Sequence, residues 1–311
     1  VTMLPRSWRK HKAKLAIRMN TVIRRIFRIG PMFVLARFRT YRIAYSRVQR
    51  FRQSAGLFGR EWDRERETSF RPRHDSIFHG FDADRSVEEL RKDGVSLGLD
   101  LPADLVTEIH SLAGRLPLQN SVRSRPFLKS EVAEGGRLAD GEMVTLGTAY
   151  KRRKRQLLKH ECVSRIVNDP LILEIVSQYL GYSPRRLSDL ELYWSFATKL
   201  SPEEQMRQGN AIDYHFDLHG HNFIMVAFYI TDTDRTSGAH VMFKHSHKKK
   251  TWPMLFSYSQ PVEVLQRYYG SENETIIEGK AGSGFLMDNS TYHRATTPES
   301  ADRLLLRLVY T

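Results

Sequence analysis

The sequence predicts a mainly β domain with flanking helices, a sandwich or barrel behind a basic helical N-terminal arm. Three observations predict it. Six short runs that are β-branched, aromatic or alternating follow Gly181 in the 311-residue chain. Amphipathic helical stretches precede these runs, and only one interrupts them. The excess basic charge is confined to the start: residues 1–60 hold 16 Lys or Arg and no Asp or Glu, within a net charge of +14. The arm is therefore residues 1–60 and the folded domain 61–311, with a β core from about 185. The domain is close to neutral, which argues against a basic nucleic-acid-binding fold throughout.

Within the arm a basic helix is expected around residues 12–28, then a break at Gly30-Pro31 and a second helix. Val34, Phe38, Tyr41, Tyr45 and Val48 recur at steps of four and three, which places them on one stripe. Arg37, Arg39, Arg42, Arg47 and Arg50 fill much of the rest. Three roles fit such a helix. It can pack on the domain or a sister subunit, lie on an anionic membrane surface, or bind nucleic acid or another polyanion; nucleic acid is the least favoured. No stretch can span a bilayer, since the longest apolar one, "IGPMFVLA", is closed by Arg37. No apolar region with a small-residue cleavage site marks a secretory signal. The single cysteine, Cys162, rules out an intrachain disulfide and fits a reducing, cytoplasmic setting, to which the basic arm of residues 1–60 adds contact at a membrane periphery.

The domain opens with helices. "DRSVEELRKDGVSL" (84–97) reads as a short helix with Asp84 or Ser86 near its N-cap, then a strand entered through Gly94. "LPADLVTEIHSLAGRL" (101–116) is amphipathic, with Pro102 in its first turn and Gly114 near its end. Residues 118–155 read as a charged loop region. Helices follow at 160–182, Asp169-Pro170 opening the second and Gly181 closing it. The strand runs are 190–197, 211–217, 223–231, 239–243, 284–288 and 303–310, with a helical insert at 261–270.

The chemistry gathers in "YHFDLHGHNF" (214–223). In a strand, residues two apart point the same way, so His215 and Asp217 present an imidazole and a carboxylate side by side. These are two of the three ligands of a facial triad, which leaves metal positions open for small molecules. His293 follows the strand run "GFLMD", and Arg303 begins the last run ten residues later. Arg303 and Arg307 share parity, so both can face into the sheet, where a guanidinium needs a carboxylate partner. For Arg307 that partner can be an internal salt bridge. A competing site from His215, His219 and His221 leaves His293 and Arg303 unexplained, and Gly220 suggests a turn between those histidines. His219 and His221 then line a pocket mouth or face solvent, and His245 and His247 cap the turn after "AHVMF".

Four blocks, in order, resemble the phytanoyl-CoA dioxygenase-like family of Fe(II)/2-oxoglutarate oxygenases: "YHFDLH", "SGAHVMFKHSHK", "GSGFLMDNSTYHRA" and "RLLLRLVY". The likeness covers about residues 84–311, with 118–155 and the arm unmatched. It implies a double-stranded β-helix, a jelly-roll of the cupin kind. It also implies Fe(II) held by His215, Asp217 and His293, with Arg303 on the distal carboxylate of 2-oxoglutarate. Tyr193 and Phe228 lie on strands where the family has cosubstrate-lining residues. Ala295 stands where the family often has a serine, and neighbouring Thr296 substitutes for it. "FKHSHK" lacks the family's usual Pro-Gly, and the spacing from His293 to Arg303 is one residue short. Asp217 in place of Gly or Ala favours hydroxylation over halogenation.

The implied reaction consumes 2-oxoglutarate and O2, releases succinate and CO2, and hydroxylates a C–H bond of a small-molecule, lipid-linked or natural-product substrate. Trp252, Phe256 and Arg307 are expected in the substrate pocket, the first two on a long insert (248–282) acting as lid or wall. The rival reading is an inactive β scaffold whose basic arm docks on a membrane or polyanion.

Overall fold

Alternation along the C-terminal strands builds the molecule in layers, two sheets with helices on both outer faces. The computed structural model describes residues 34–57, 75–120, 125–150, 154–208 and 212–311. The helix expected at 12–28 and the Gly30-Pro31 break lie outside the described residues. The described strands are β1 (Val95–Leu97), β2 (Leu118–Gln119), β3 (Leu146–Ala149), β4 (Leu187–Ser195), β5 (Tyr214–His215) and β6 (Ile224–Tyr229). They continue with β7 (His240–Phe243), β8 (Ser259–Gln260), β9 (Glu274–Ile277), β10 (Gly284–Met287), β11 (His293–Ala295) and β12 (Arg303–Tyr310). One sheet has the order β1-β10-β6-β12-β4-β3-β2 and the other β8-β5-β11-β7-β9, and all their pairings are antiparallel.

The helices are α1 (Arg39–Ser54), α2 (Ala83–Asp93), α3 (Ala103–Arg115), α4 (Glu161–Val167), α5 (Pro170–Leu180), α6 (Pro202–Arg207), α7 (Trp252–Phe256) and α8 (Val262–Tyr269). Their ends follow local chemistry. Asp82, not Asp84 or Ser86, caps α2, its side chain accepting from the Arg85 N–H. Asp169 accepts from the Leu171 and Ile172 N–H groups at the start of α5, and Gly181 closes it at φ 82°.

Parity divides the core. On β12 the even residues Leu304, Leu306, Leu308 and Tyr310 join a cluster with α2 to α5, while Leu305 and Val309 face between the sheets. The inner cluster adds Met225, Ala227 and Tyr229 of β6, Phe285 and Met287 of β10, and Met242 of β7. A third cluster, with Tyr214, Val241, Phe243 and Tyr292, packs the smaller sheet under α7 and α8. The loop-rich region 118–155 contributes two strands to the larger sheet, β3 beside β4 and β2 at the edge.

The arm's second helix is α1, and it packs on the domain. Its buried face is turned from the expected stripe: Arg42 and Gln49 are buried, while Val48 is 54% exposed. A buried carboxylate draws the helix round. Arg42 donates from Nη1 to Asp288 Oδ2 at 2.9 Å and from Nη2 to Ser290 Oγ at 2.8 Å. Tyr179 donates to the same Asp288 oxygen at 2.7 Å. Arg50 and Gln53 reach the end of α5 at Gly181 O and Ser183 Oγ.

Candidate metal and cosubstrate site

Strand pairing sets the first contacts of the site. β5 and β11 run antiparallel with His215 directly opposite His293, and their ring centroids lie 4.6 Å apart. β5 ends at His215. Asp217 lies in the coil beyond it, tied down where its N–H donates to Asn289 O at 2.8 Å. One ligand atom from each of His215, Asp217 and His293 lies within 4.8 Å of the others. Among the described residues this is the one such group of three or more His, Cys, Asp or Glu.

Both imidazoles are oriented by main chain. His215 Nδ1 lies 2.9 Å from Asp213 O, and His293 Nδ1 lies 3.0 Å from Thr291 O. A carbonyl only accepts, so each Nδ1 carries the proton and each Nε2 presents a lone pair. Burial, reinforced by the neighbouring His293, lowers the His215 pKa and keeps the ring neutral. For Asp217 burial works the other way. The neighbouring imidazoles, His293 first and then His215 and His219, outweigh it and hold the carboxyl well below its usual range.

A cavity of about 340 Å³ runs from this group to Arg303. Arg303 is 2% exposed. It donates to Gly238 O and, at 2.9 Å, to Ser195 Oγ, and its guanidinium lies over the Tyr193 ring. Among the described residues no carboxylate pairs with it. Arg307 lines the same cavity but is paired with two carboxylates, its Nη2 donating to Asp189 Oδ2 at 2.7 Å and Glu191 Oε2 at 2.5 Å, while its Nε is buried without a partner. It is the internal salt bridge that parity allowed. Thr296 lines the cavity, its buried Oγ1 unpartnered.

Ser195, His240 and Tyr258 are among the lining residues that the sequence reading does not single out. Ser195 lies opposite Arg303 in the β4–β12 ladder. His240 stacks on His293 with centroids 5.3 Å apart, and its buried Nε2 has no partner. Burial first, then His293 and Arg303, hold it neutral. Its inward parity with Met242 on "AHVMF" was the available signal. Tyr258, from the long insert, donates to Asp217 Oδ1 at 3.3 Å and stacks on His215.

Several expected positions fall elsewhere. Phe228 does not line the cavity: even residues of β6 face the helices, and Phe228 stacks on Phe78. His221 packs against α1, with Nδ1 2.6 Å from Tyr41 Oη and its ring stacked on Tyr45. His219 sits behind Asp217, Nε2 lying 3.9 Å from Oδ2 and 3.2 Å from Asn289 Nδ2. Trp252 and Phe256 face outward at 68% and 48% exposure because the inward side of α7 is filled by Met254. His245 and His247 brace the turn after β7 against α2, on Lys92 O and Arg91 O.

The profile of the phytanoyl-CoA dioxygenase (PhyH) family matches residues 98–304, about two-thirds of the chain. The chain belongs to that family. Its members are non-haem Fe/2-oxoglutarate oxygenases with a metal-binding triad, so iron and 2-oxoglutarate are the family's metal and cosubstrate. No curated protein matches the chain in sequence. Among solved structures, EvdO2 from Micromonospora carbonacea var. aurantiaca, complexed with 2-oxoglutarate, is 12% identical. The match covers 76% of this chain and 92% of EvdO2 with a TM-score of 0.50, and supports the double-stranded β-helix fold. EctD from S. alaskensis, with bound Fe, is 15% identical over 78% of this chain and 83% of its own, TM-score 0.47. The α-ketoglutarate-dependent epimerase SnoN, from nogalamycin biosynthesis, is 18% identical over 74% and 82%, also at 0.47.

The residues present fit both groups. Two imidazoles, each with Nδ1 turned to a main-chain carbonyl, and one carboxylate form a donor set suited to a divalent iron. His240 Nε2, Thr296 Oγ1 and Arg303 Nε are buried without partners and belong to residues lining the same cavity.

Proposed function

We propose that the chain is an Fe(II)/2-oxoglutarate-dependent hydroxylase acting on a C–H bond of a small-molecule, lipid-linked or natural-product substrate. The observation that carries this reading is Arg303, a buried guanidinium without a carboxylate, in one cavity with His215, Asp217 and His293. In this proposal those three residues hold the metal, and Arg303 grips the far carboxylate of the cosubstrate with two parallel hydrogen bonds. Bound iron, 2-oxoglutarate and O2 supply the oxidation, with succinate and CO2 as co-products. The protein supplies position. Ser195 and Gly238 O aim Arg303, and the carbonyls of Asp213 and Thr291 aim the imidazoles. Tyr258 braces Asp217, and Tyr193 and Thr296 flank the cosubstrate's path. The carboxylate of Asp217 occupies a ligand position and so favours hydroxylation.

Residues 1–60 are, in the same reading, an extension on an oxygenase domain of 61–311, with contact at an anionic membrane as its role. The test of the oxygenase site is an anaerobic titration of Fe(II) and 2-oxoglutarate followed by visible absorption. A weak charge-transfer band that needs both additions and vanishes in His215→Ala is expected. A protein that binds neither would leave the inactive-scaffold reading in its place.

A further inference from the structure

Two segments distant in sequence meet on one side of the molecule. Residues 34–57 carry six Arg and no Asp or Glu, and residues 244–262 carry four Lys and no Asp or Glu. They are joined where Phe38 packs edge-on against Trp252 and Arg37 Nη1 donates to Leu255 O. Of the twelve large apolar side chains exposed among the described residues, seven lie on these two segments. Five belong to the first, with Phe51 65% exposed; the others are Trp252 and Phe256, stacked on each other. Single exposed apolar residues are ordinary, but their concentration on acid-free, cationic backbone is not.

A cavity of about 200 Å³ opens in the seam between α1 and the domain, lined by Arg39, Arg42, Arg91 and the exposed Ile43, with Asp288 as its one carboxylate. Arg42 is 5% exposed, and its Nε has no partner although both Nη atoms are used. Three guanidiniums against one carboxylate leave net positive charge around a cavity with room for a phosphate. We propose that this face docks on an anionic phospholipid bilayer, with Trp252 and Phe256 entering the interface beside α1 and the arginine cavity receiving a headgroup phosphate.

Charge complementarity selects the occupant. Cations attract the anionic leaflet, and exposed aromatic and aliphatic side chains gain by leaving water at its boundary. A nucleic acid would use the arginines but not the aliphatic residues. Residues 1–33, with nine Lys or Arg and no acid, offer this face no countercharge. The proposal stands apart from the oxygenase reading, because none of these residues lines the cavity at His215.

The test is flotation of the full chain with vesicles of phosphatidylcholine alone and with about a third phosphatidylglycerol. Binding to the anionic vesicles alone, weakened by salt, is expected. Trp252→Ala/Phe256→Ala and Arg39→Glu/Arg91→Glu should each cut partitioning about tenfold or more. These side chains are exposed, so the thermal midpoint should hold and show that the variants fold. No binding, or equal binding to neutral vesicles, overturns the proposal. Undiminished binding by both variants would also overturn it, assigning the binding to residues outside this face. A vesicle-free dimer that the first variant splits would overturn it in favour of contact between two copies.

Discussion

Arg303 and Arg307 stand on the same face of β12, four residues apart, and are satisfied in opposite ways. Arg307 meets two carboxylates from β4, whereas Arg303 meets a hydroxyl, a carbonyl and an aromatic face. Arg307 has its charge compensated within the β4–β12 ladder. Arg303, the more deeply buried of the two, leaves positive charge uncompensated in a cavity whose other end carries a ligand set for a divalent metal. Burial alone therefore does not distinguish a structural guanidinium from a binding one; the census of partners does.

The comparison breaks first at the metal end. Asp217→Ala should abolish the charge-transfer band and lower 2-oxoglutarate affinity by more than about a hundredfold, since Arg303 would hold only one end of the ligand. Calorimetry showing full-strength 2-oxoglutarate binding without metal would contradict it. Next come paired substitutions on β12. Arg303→Met should cost about a hundredfold in 2-oxoglutarate affinity. Arg307→Met should leave that affinity within about threefold, yet lose about 3 kcal/mol in urea unfolding, because Asp189 and Glu191 lose the guanidinium they share. Equal affinity losses in both variants would erase the distinction. A smaller effect belongs to Tyr258→Phe, expected to weaken Fe(II) binding about tenfold through Asp217, as read by metal competition.

The smallest effect is a pH dependence at a third cation. Lys250 donates to Ser246 O and Ser290 O and, among the described residues, has no ion pair. Burial first, then Arg42, push its amine down to about 7. An amine can shed its proton where a guanidinium cannot. Between about pH 7 and 10.4 the unfolded chain holds a proton that the folded chain has released, so stability rises with pH across that window and is flat below it. From pH 7 to 9 the wild type should gain about 1–2 kcal/mol relative to Lys250→Met in denaturant titrations. Parallel curves would show that Lys250 stays charged.

Much of this was legible in sequence where polar residues mark a face. Arg303 and Arg307 fix the parity of β12, and Asp169 and Gly181 fix the ends of α5. β6 offered no such mark. "FIMVAFYIT" is apolar on both faces because the strand is buried between the helices and the second sheet, so Phe228 was assigned to the wrong side. The α1 stripe was misread because an apolar period cannot anticipate Asp288, a carboxylate more than two hundred residues away that pulls Arg42 inward. Tyr258 reaches Asp217 only through tertiary packing.

The turn from Asp288 to Tyr292 has a practical consequence for anyone shortening the protein. Asp288 and Ser290 hold α1, Asn289 O holds the backbone of Asp217, and Thr291 O sets the tautomer of His293. A chain trimmed to begin after residue 57 would discard a helix outside the family match and, with it, the cation that neutralises Asp288. The damage would surface in metal loading rather than yield, and an inactive trimmed preparation would say nothing about the enzyme.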